Sequence, residues 1–171
     1  MQWRRTVSTT NFNYDTQEIW QKDKDHHIHP WTDFPSFKEK GSMILAESEG
    51  SYVYDSEGKK YLDGIAGLWC VNVGYGRDEI AQAMADQARR MTYYSSFGPH
   101  TSIPAAELAA KLAELTPGDL NHVFFGTGGS MANDTAIRII HFYFNQLGKP
   151  TKKKMITRHD GYHGSTYAAM T

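Results

Sequence analysis

Cysteine is almost missing from this sequence. Cys70 stands alone among 171 residues, so no disulfide can form within the chain. A reducing compartment, the cytoplasm, is the natural setting. Excess charge is missing too. Eighteen Lys and Arg against nineteen Asp and Glu give a formal net charge of -1, so nothing calls for nucleic acid or an anionic membrane as partner. No apolar run approaches the roughly 20 residues that a membrane helix needs. The opening Met1-Gln-Trp-Arg-Arg-Thr-Val-Ser-Thr-Thr10 lacks an apolar h-region, so a frayed leader through about residue 13 is expected there, not a secretory signal. Internal repeats and low-complexity segments are absent as well.

What remains is globular composition, 40% hydrophobic and 13% aromatic, enough for a sizeable core in one domain or one and part of another. Asp15-Thr-Gln-Glu18 has the spacing of a capping box and predicts a short helix through Ile19 and Trp20 that ends before Pro30. His26, His27 and His29 gather at that end. They lack a neighbouring cysteine and a helical or finger spacing, so no metal is expected; dipole and aromatic contacts at a helix C-terminus are. Pro30 and Pro35 predict an irregular aromatic loop around Trp31 and Phe34. Met43–Ala46, Ser51–Tyr54 and Lys60–Leu62, separated by Gly50 and Gly58, predict a small antiparallel meander that needs cover from another layer. Asp63 to Gly76 holds four glycines in fourteen residues, with Trp69 near the centre. A packed loop beside a cavity, with no regular element, is the expectation.

From residue 77 onward helices and short apolar runs alternate. Helices are predicted over Arg77–Met91, Pro104–Leu115 and Ser130–Leu147. The last is apolar nearly all round, so burial on most faces is expected. Val123–Phe125 and Met155–Arg158 read as strands. The alternation predicts an α/β fold with a mostly parallel sheet covered by helices.

Between the first of those strands and the last helix lies Gly126-Thr-Gly-Gly-Ser130. Strand, glycine turn and helix N-terminus would aim free backbone N–H groups at one point, which is a place for a phosphate. A dinucleotide fingerprint fails because Met131 stands at its third glycine. A Walker loop fails because no lysine follows the glycines. A single phosphate monoester, as on pyridoxal phosphate, remains, beside a glycine turn with no ligand. His159 and His163 have zincin-like i, i+4 spacing, but Gly161 and Gly164 disfavour a helix there. An aromatic followed by His, at Tyr162-His163, would instead offer a flat face to a planar ring.

Six motifs in order then match one family. They are His29-Pro-Trp-Thr-Asp33, Tyr54-Asp-Ser-Glu-Gly58, the run from Leu62 to Arg77, Val123-Phe-Phe125, Ala132-Asn-Asp-Thr-Ala136 and Gly161-Tyr-His-Gly-Ser-Thr166. From about residue 26 to 171 the chain resembles the class III pyridoxal-phosphate aminotransferases, and within them the pyruvate-dependent ω-transaminases. The resemblance implies the N-terminal portion of a fold-type I transferase. Residues 1–76 would give the helix, aromatic loop and β-meander of the small domain; 77–171 would begin the large cofactor-binding domain and leave it incomplete. It implies pyridoxal 5'-phosphate as cofactor, with Gly128, Gly129 and Ser130 on its phosphate and Tyr162 stacked on its ring beside His163. Trp69 would line the substrate pocket and Trp31 its small-substituent side.

The implied function is transfer of an amino group from an amine or ω-amino acid to pyruvate. The implied partners are an amine donor, a keto-acid acceptor and a second copy, in a homodimer with its active site at the interface. Phe97–His100 is the place for the partner to contribute. No lysine here stands in a matching context, so the Schiff-base lysine is expected beyond Thr171 and the chain alone is expected to be inactive. Two further readings stay open: another class III activity, such as an aminomutase or a different acceptor, and a non-catalytic phosphate-ligand module if the chain is complete as given. The sequence departs from the family at the loop, where the common Ser-Gly-Ser-Glu-Ala becomes Gly128-Gly-Ser-Met-Ala132, and at Trp31, where relatives often carry Phe.

Overall fold

The structure is a computed structural model that describes residues 12–170; most of the expected leader lies outside them. Contacts divide the chain into two compact units, Met1–Tyr93 and Tyr94–Thr171. The sequence-drawn division at 76/77 lies one helix earlier.

The first unit opens with α1 (Thr16–His26), capped as its sequence predicts: the Asp15 carboxylate accepts from the Glu18 N–H at 2.9 Å. The second helix, α2 (Phe34–Lys40), overturns the expected irregular loop around Pro35. Asp33 caps it, and Pro35 falls in the first turn, where a missing N–H costs nothing. Gly41 ends α2 at φ +73°, and a Cβ there would sit 2.1 Å from the Trp20 indole nitrogen. Glycine is therefore required both by the turn and by the ring lying against it.

The meander forms as β1 (Leu45–Glu49), β2 (Tyr52–Asp55) and β3 (Lys60–Leu62), antiparallel in the order β1-β2-β3, with an irregularity between Leu45 and Glu47. Asp55 builds its second turn. One carboxylate oxygen accepts from the N–H groups of Glu57 and Lys59, and the other from the Tyr61 hydroxyl at 2.8 Å. The cover that a small sheet needs comes from the N-terminal side. Phe12 packs toward the Tyr54 ring, and Thr16 and Ser56 share a hydrogen bond of 2.7 Å; among the described residues of this unit Tyr54 and Ser56 are the buried ones.

The glycine-rich run after β3 is not wholly irregular. Ala66–Trp69, α3, is a single helical turn, closed by bonds from the Trp69 N–H to Ile65 and from the Cys70 N–H to Ala66. All four residues have positive φ, between 49° and 65°, so the turn is wound left-handed. Gly67 adopts that conformation freely; Ala66, Leu68 and Trp69 do so at about 1–2 kcal/mol each. Asp63 stabilises the turn. Its carboxylate accepts from the Ile65 N–H, the Gly67 N–H at 2.8 Å and the Tyr75 hydroxyl at 2.7 Å. A two-way backbone bridge then fixes Tyr75 to Gly50. The helix α4 (Asp78–Arg90) follows, with its apolar residues Ile80 and Met84 exposed.

The second unit holds α5 (Ile103–Leu115) and α6 (Gly129–Gln146). Two expectations fail here. Val123–Phe125 and Met155–Arg158 carry no strand pairing, because no described segment lies alongside to complete a ladder. And α6, expected to be buried on most faces, has no buried residue among those described; Phe142 is 64% exposed. Its apolar residues run nearly all round it, but no described layer covers them.

Tyr75, then Asp63's own desolvation working the other way, set the acidity of the clamp: the Tyr75 hydroxyl bond holds the Asp63 carboxyl below its ordinary range and raises the Tyr75 phenol. A carboxylate whose folded pKa is depressed stabilises above its unfolded value and loses that stabilisation as pH falls through the folded one. Amide-exchange protection at Gly67 should therefore hold at neutral pH and vanish in acid below the usual carboxylate range. Tyr75→Phe should move that loss to higher pH. Protection unchanged down to strong acid would contradict the clamp.

Candidate functional site

The N-terminus of α6 carries the sequence's glycine loop. Gly128 is its cap residue at φ 177°, an extended conformation open to any residue, and no side chain caps the helix. The first intrahelical bond runs from the Ala132 N–H to the Gly128 carbonyl. The N–H groups of Gly129, Ser130 and Met131 precede it, so they have no intrahelical acceptor. Added Cβ atoms at Gly128 and Gly129 would meet nothing within 4 Å. The result is an open cup of donors at the positive end of an eighteen-residue helix.

The loop from Gly161 to Ala169 is tied to that helix end by four hydrogen bonds. Ser130 Oγ accepts from the Ser165 N–H at 3.0 Å, and its carbonyl accepts from the Thr166 hydroxyl. Asn133 donates to the His163 carbonyl at 2.6 Å, and Asp134 accepts from the Ala169 N–H at 2.7 Å. Gly164 is buried where the loop crosses the helix. At φ +148°, a Cβ there would lie 2.5 Å from the Ala169 Cβ and 3.1 Å from the Ser130 Cα. Only glycine lets the backbones approach so closely. This junction carries Tyr162 and His163 on the loop that binds the helix end, so five of the sequence-predicted site residues share one unit.

His163 is half-buried, and its Nε2 has no hydrogen-bond partner among the described residues. It also lines a cleft of about 190 Å³ together with Asn133, Ile137, Ile140, Met155 and Ala169. Met131, which replaces the family's glutamate, receives the Thr127 hydroxyl on its sulfur at 3.2 Å. That contact is a weak local bond, not an ionic one.

Trp31 and Trp69 belong to the other unit. Both have φ near +60° and both are mostly exposed, at 86% and 76%. Backbone strain of this kind concentrates at binding and catalytic positions.

The donors present suit a phosphate monoester. The N–H groups of Gly129, Ser130 and Met131 lie at one helix end without an intrahelical acceptor, and among the described residues nothing stands within 4 Å of a Cβ at Gly128 or Gly129. Ser130 Oγ uses a lone pair on Ser165 and keeps its own proton to donate. A dianion would find neutralising potential there without a lysine.

Comparison with known proteins supplies the class. The (S)-enantioselective ω-transaminase of Thermomicrobium roseum superposes with a TM-score of 0.89 at 43% identity, covering 92% of this chain and 35% of that one. In sequence, the putrescine–pyruvate aminotransferase of Pseudomonas aeruginosa is 46% identical over 159 residues, 93% of this chain and 35% of that protein. The diaminobutyrate–2-oxoglutarate transaminase of Halomonas elongata is 42% identical over 126 residues, 74% of this chain and 27% of that protein. The architecture is that of the fold-type I pyridoxal-phosphate-dependent transferases. The profile of the family described as aminotransferase class-III matches residues 36–171, and the chain belongs to that family, whose members use pyridoxal phosphate. The chain spans about a third of the length of these relatives.

The glycines of the cup stand out in the sequence; the residues that hold it do not. Asn133, Asp134, Ser165 and Thr166 lay inside matched motifs without an assigned task. Gly164→Ala tests the junction. The forced overlap with Ala169 and Ser130 should cost about 1–3 kcal/mol, read as a lower urea midpoint for this chain. A midpoint unchanged from the parent would show that the loop does not pack on α6 as described.

Proposed function

We propose that Gly128, Gly129 and Ser130 bind the phosphate of pyridoxal phosphate, that Tyr162 stacks on its ring, and that His163 stands beside it. The observation that carries this reading is the uncapped N-terminus of α6, open at both glycines and tied through Ser130 to the Tyr162–His163 loop. The cofactor supplies an electron sink for amino-group transfer. The residues here anchor and orient it: the backbone N–H groups and the Ser130 hydroxyl hold the phosphate, and Tyr162 offers a ring face worth about 0.5–1.5 kcal/mol beyond burial.

On that reading, the parent activity moves an amino group from an amine or ω-amino acid to pyruvate, in a cytoplasmic homodimer with active sites at the interface. The likeness to a putrescine–pyruvate aminotransferase supports the donor and the acceptor. Phe97, 91% exposed beside the Tyr94–His100 pair, supports a surface for the second subunit. Trp69 lines the substrate pocket, fixed by the left-handed turn that Asp63 and Tyr75 hold. Trp31 narrows its small-substituent side. A second reading, transfer to 2-oxoglutarate, is favoured by the likeness to the diaminobutyrate enzyme.

Two measurements test this. Gly128 has the φ and the free space for a serine, the common family residue, so Gly128→Ser should fold unchanged and gain one hydroxyl donor. Cofactor affinity should rise by about 0.5–1.5 kcal/mol, measured by fluorescence titration. Weaker or unchanged binding would remove the cup from the phosphate. For the acceptor, the enzyme supplied with an α,ω-diamine should release alanine from pyruvate faster than glutamate from 2-oxoglutarate. The reverse order would establish the second reading.

A further inference from the structure

The rings of His27 and His29 do not turn toward the helix carbonyls. They converge on one carboxylate. His27 Nδ1 lies 2.9 Å from Asp23 Oδ1, and His29 Nε2 lies 2.9 Å from Asp23 Oδ2. One donor atom from each of the three residues falls within 4.8 Å of the others. We propose that Asp23, His27 and His29 form a site for a divalent transition metal of the zinc or nickel class, with an open position for water or a further donor.

The donor set argues the chemistry. Imidazole nitrogen suits zinc, nickel and copper, whereas magnesium and calcium prefer all-oxygen sites. Two imidazoles and one carboxylate make a three-ligand centre of the kind that keeps a position open. The placement is helical for one pair: Asp23 and His27 are four residues apart, on one face at the end of α1. His29 returns two residues later, and the two rings stand 4.2 Å apart at the centroids.

The surroundings hold the ligands in place. Ser42 Oγ donates to Asp23 Oδ2 at 2.7 Å, and the Phe37 ring lies 4.8 Å from that of His29. A hydrogen bond that orients a ligating carboxylate is the usual support of a metal ligand. Among the described residues no lysine or arginine pairs with Asp23. Its charge faces the Ser42 hydroxyl and two imidazoles, which are neutral when they ligate, so the cluster then carries one uncompensated negative charge.

The dimensions need a small opening. Donors about 2.0–2.1 Å from a tetrahedral ion stand roughly 3.3 Å apart, against the 2.9 Å seen here between hydrogen-bonded atoms. His27 is the ligand free to give way, with a side chain 63% exposed; Asp23 and His29, at 17% and 26%, are the fixed pair. The ion would clip the end of α1 to the loop before α2 and, through Ser42, to the segment leading into β1. The site is independent of the cofactor reading above.

Zinc alone tests the proposal. Chelator-stripped protein is titrated with Zn²⁺ against a chromophoric competitor. One ion per chain should bind through this cluster. His27→Gln and Asp23→Asn should each weaken binding at least tenfold, and His26→Gln, altering a neighbour outside the cluster, should leave it unchanged. Because His27 is exposed, its substitution tests the site even where Asp23→Asn fails to fold. In the parent protein, Co²⁺ should give the intense visible absorption of a low-coordinate nitrogen and oxygen site. Binding indifferent to both substitutions, equal loss in His26→Gln, or only the faint spectrum of hydrated cobalt would overturn the proposal and leave a hydrogen-bonded His–Asp–Ser cluster.

Discussion

The first turn of α6 governs the second unit. A helix start without a capping side chain leaves donors unsatisfied, which a protein tolerates where water or a ligand takes them. The N-cap is a glycine and has no side chain to offer, and polar side chains of the first two turns are engaged elsewhere. Ser130, Asn133 and Asp134 use their polar atoms to hold the loop from His163 to Ala169. The helix end is thus rigidly placed and yet left open. Gly164 makes the close crossing possible, and Gly128 and Gly129 keep the mouth clear. The same residues therefore fix the site's position and leave its chemistry unspent.

The first unit follows a related logic with a different device. Trp69 sits in a left-handed turn that three of its four residues adopt at a cost, and Asp63 offsets that cost with three accepted hydrogen bonds. Tyr75 links the clamp to Gly50 and so to the meander. The turn that carries the indole is held by the Asp63 carboxylate and Tyr75, not by the preferences of its own side chains. Changes at Asp63 or Tyr75 would reach Trp69 without touching it.

Local chemistry was the legible part of the sequence. Asp15 caps α1 as its spacing demands, the meander turns where Gly50 and Gly58 allow, and α6 begins within one residue of the place its glycines mark. The family was legible because six short motifs kept their order. What failed was whatever depends on neighbours. Phe124 and Ile156 read as strand residues because they are apolar, but a strand also needs a partner, and none is described beside them. Pro35 read as a breaker although the first turn of a helix accepts proline. Ala66, Leu68 and Trp69 gave no sign of positive φ, because nothing in those side chains favours it; the cause lies in Asp63 and Tyr75. His27 and His29 stand out in the sequence, but nothing there joins them to Asp23, one helical turn back, since only the folded α1 end brings the three together.

The central claim is that the α6 cup takes the phosphate of the cofactor, and the most direct measurement compares pyridoxamine phosphate with pyridoxamine by calorimetry on this chain. The phosphate ester should bind measurably and its dephosphorylated form far more weakly, with Ser130→Ala erasing most of the difference. Equal affinity for the two, or a difference indifferent to Ser130, would place the phosphate elsewhere and contradict the account.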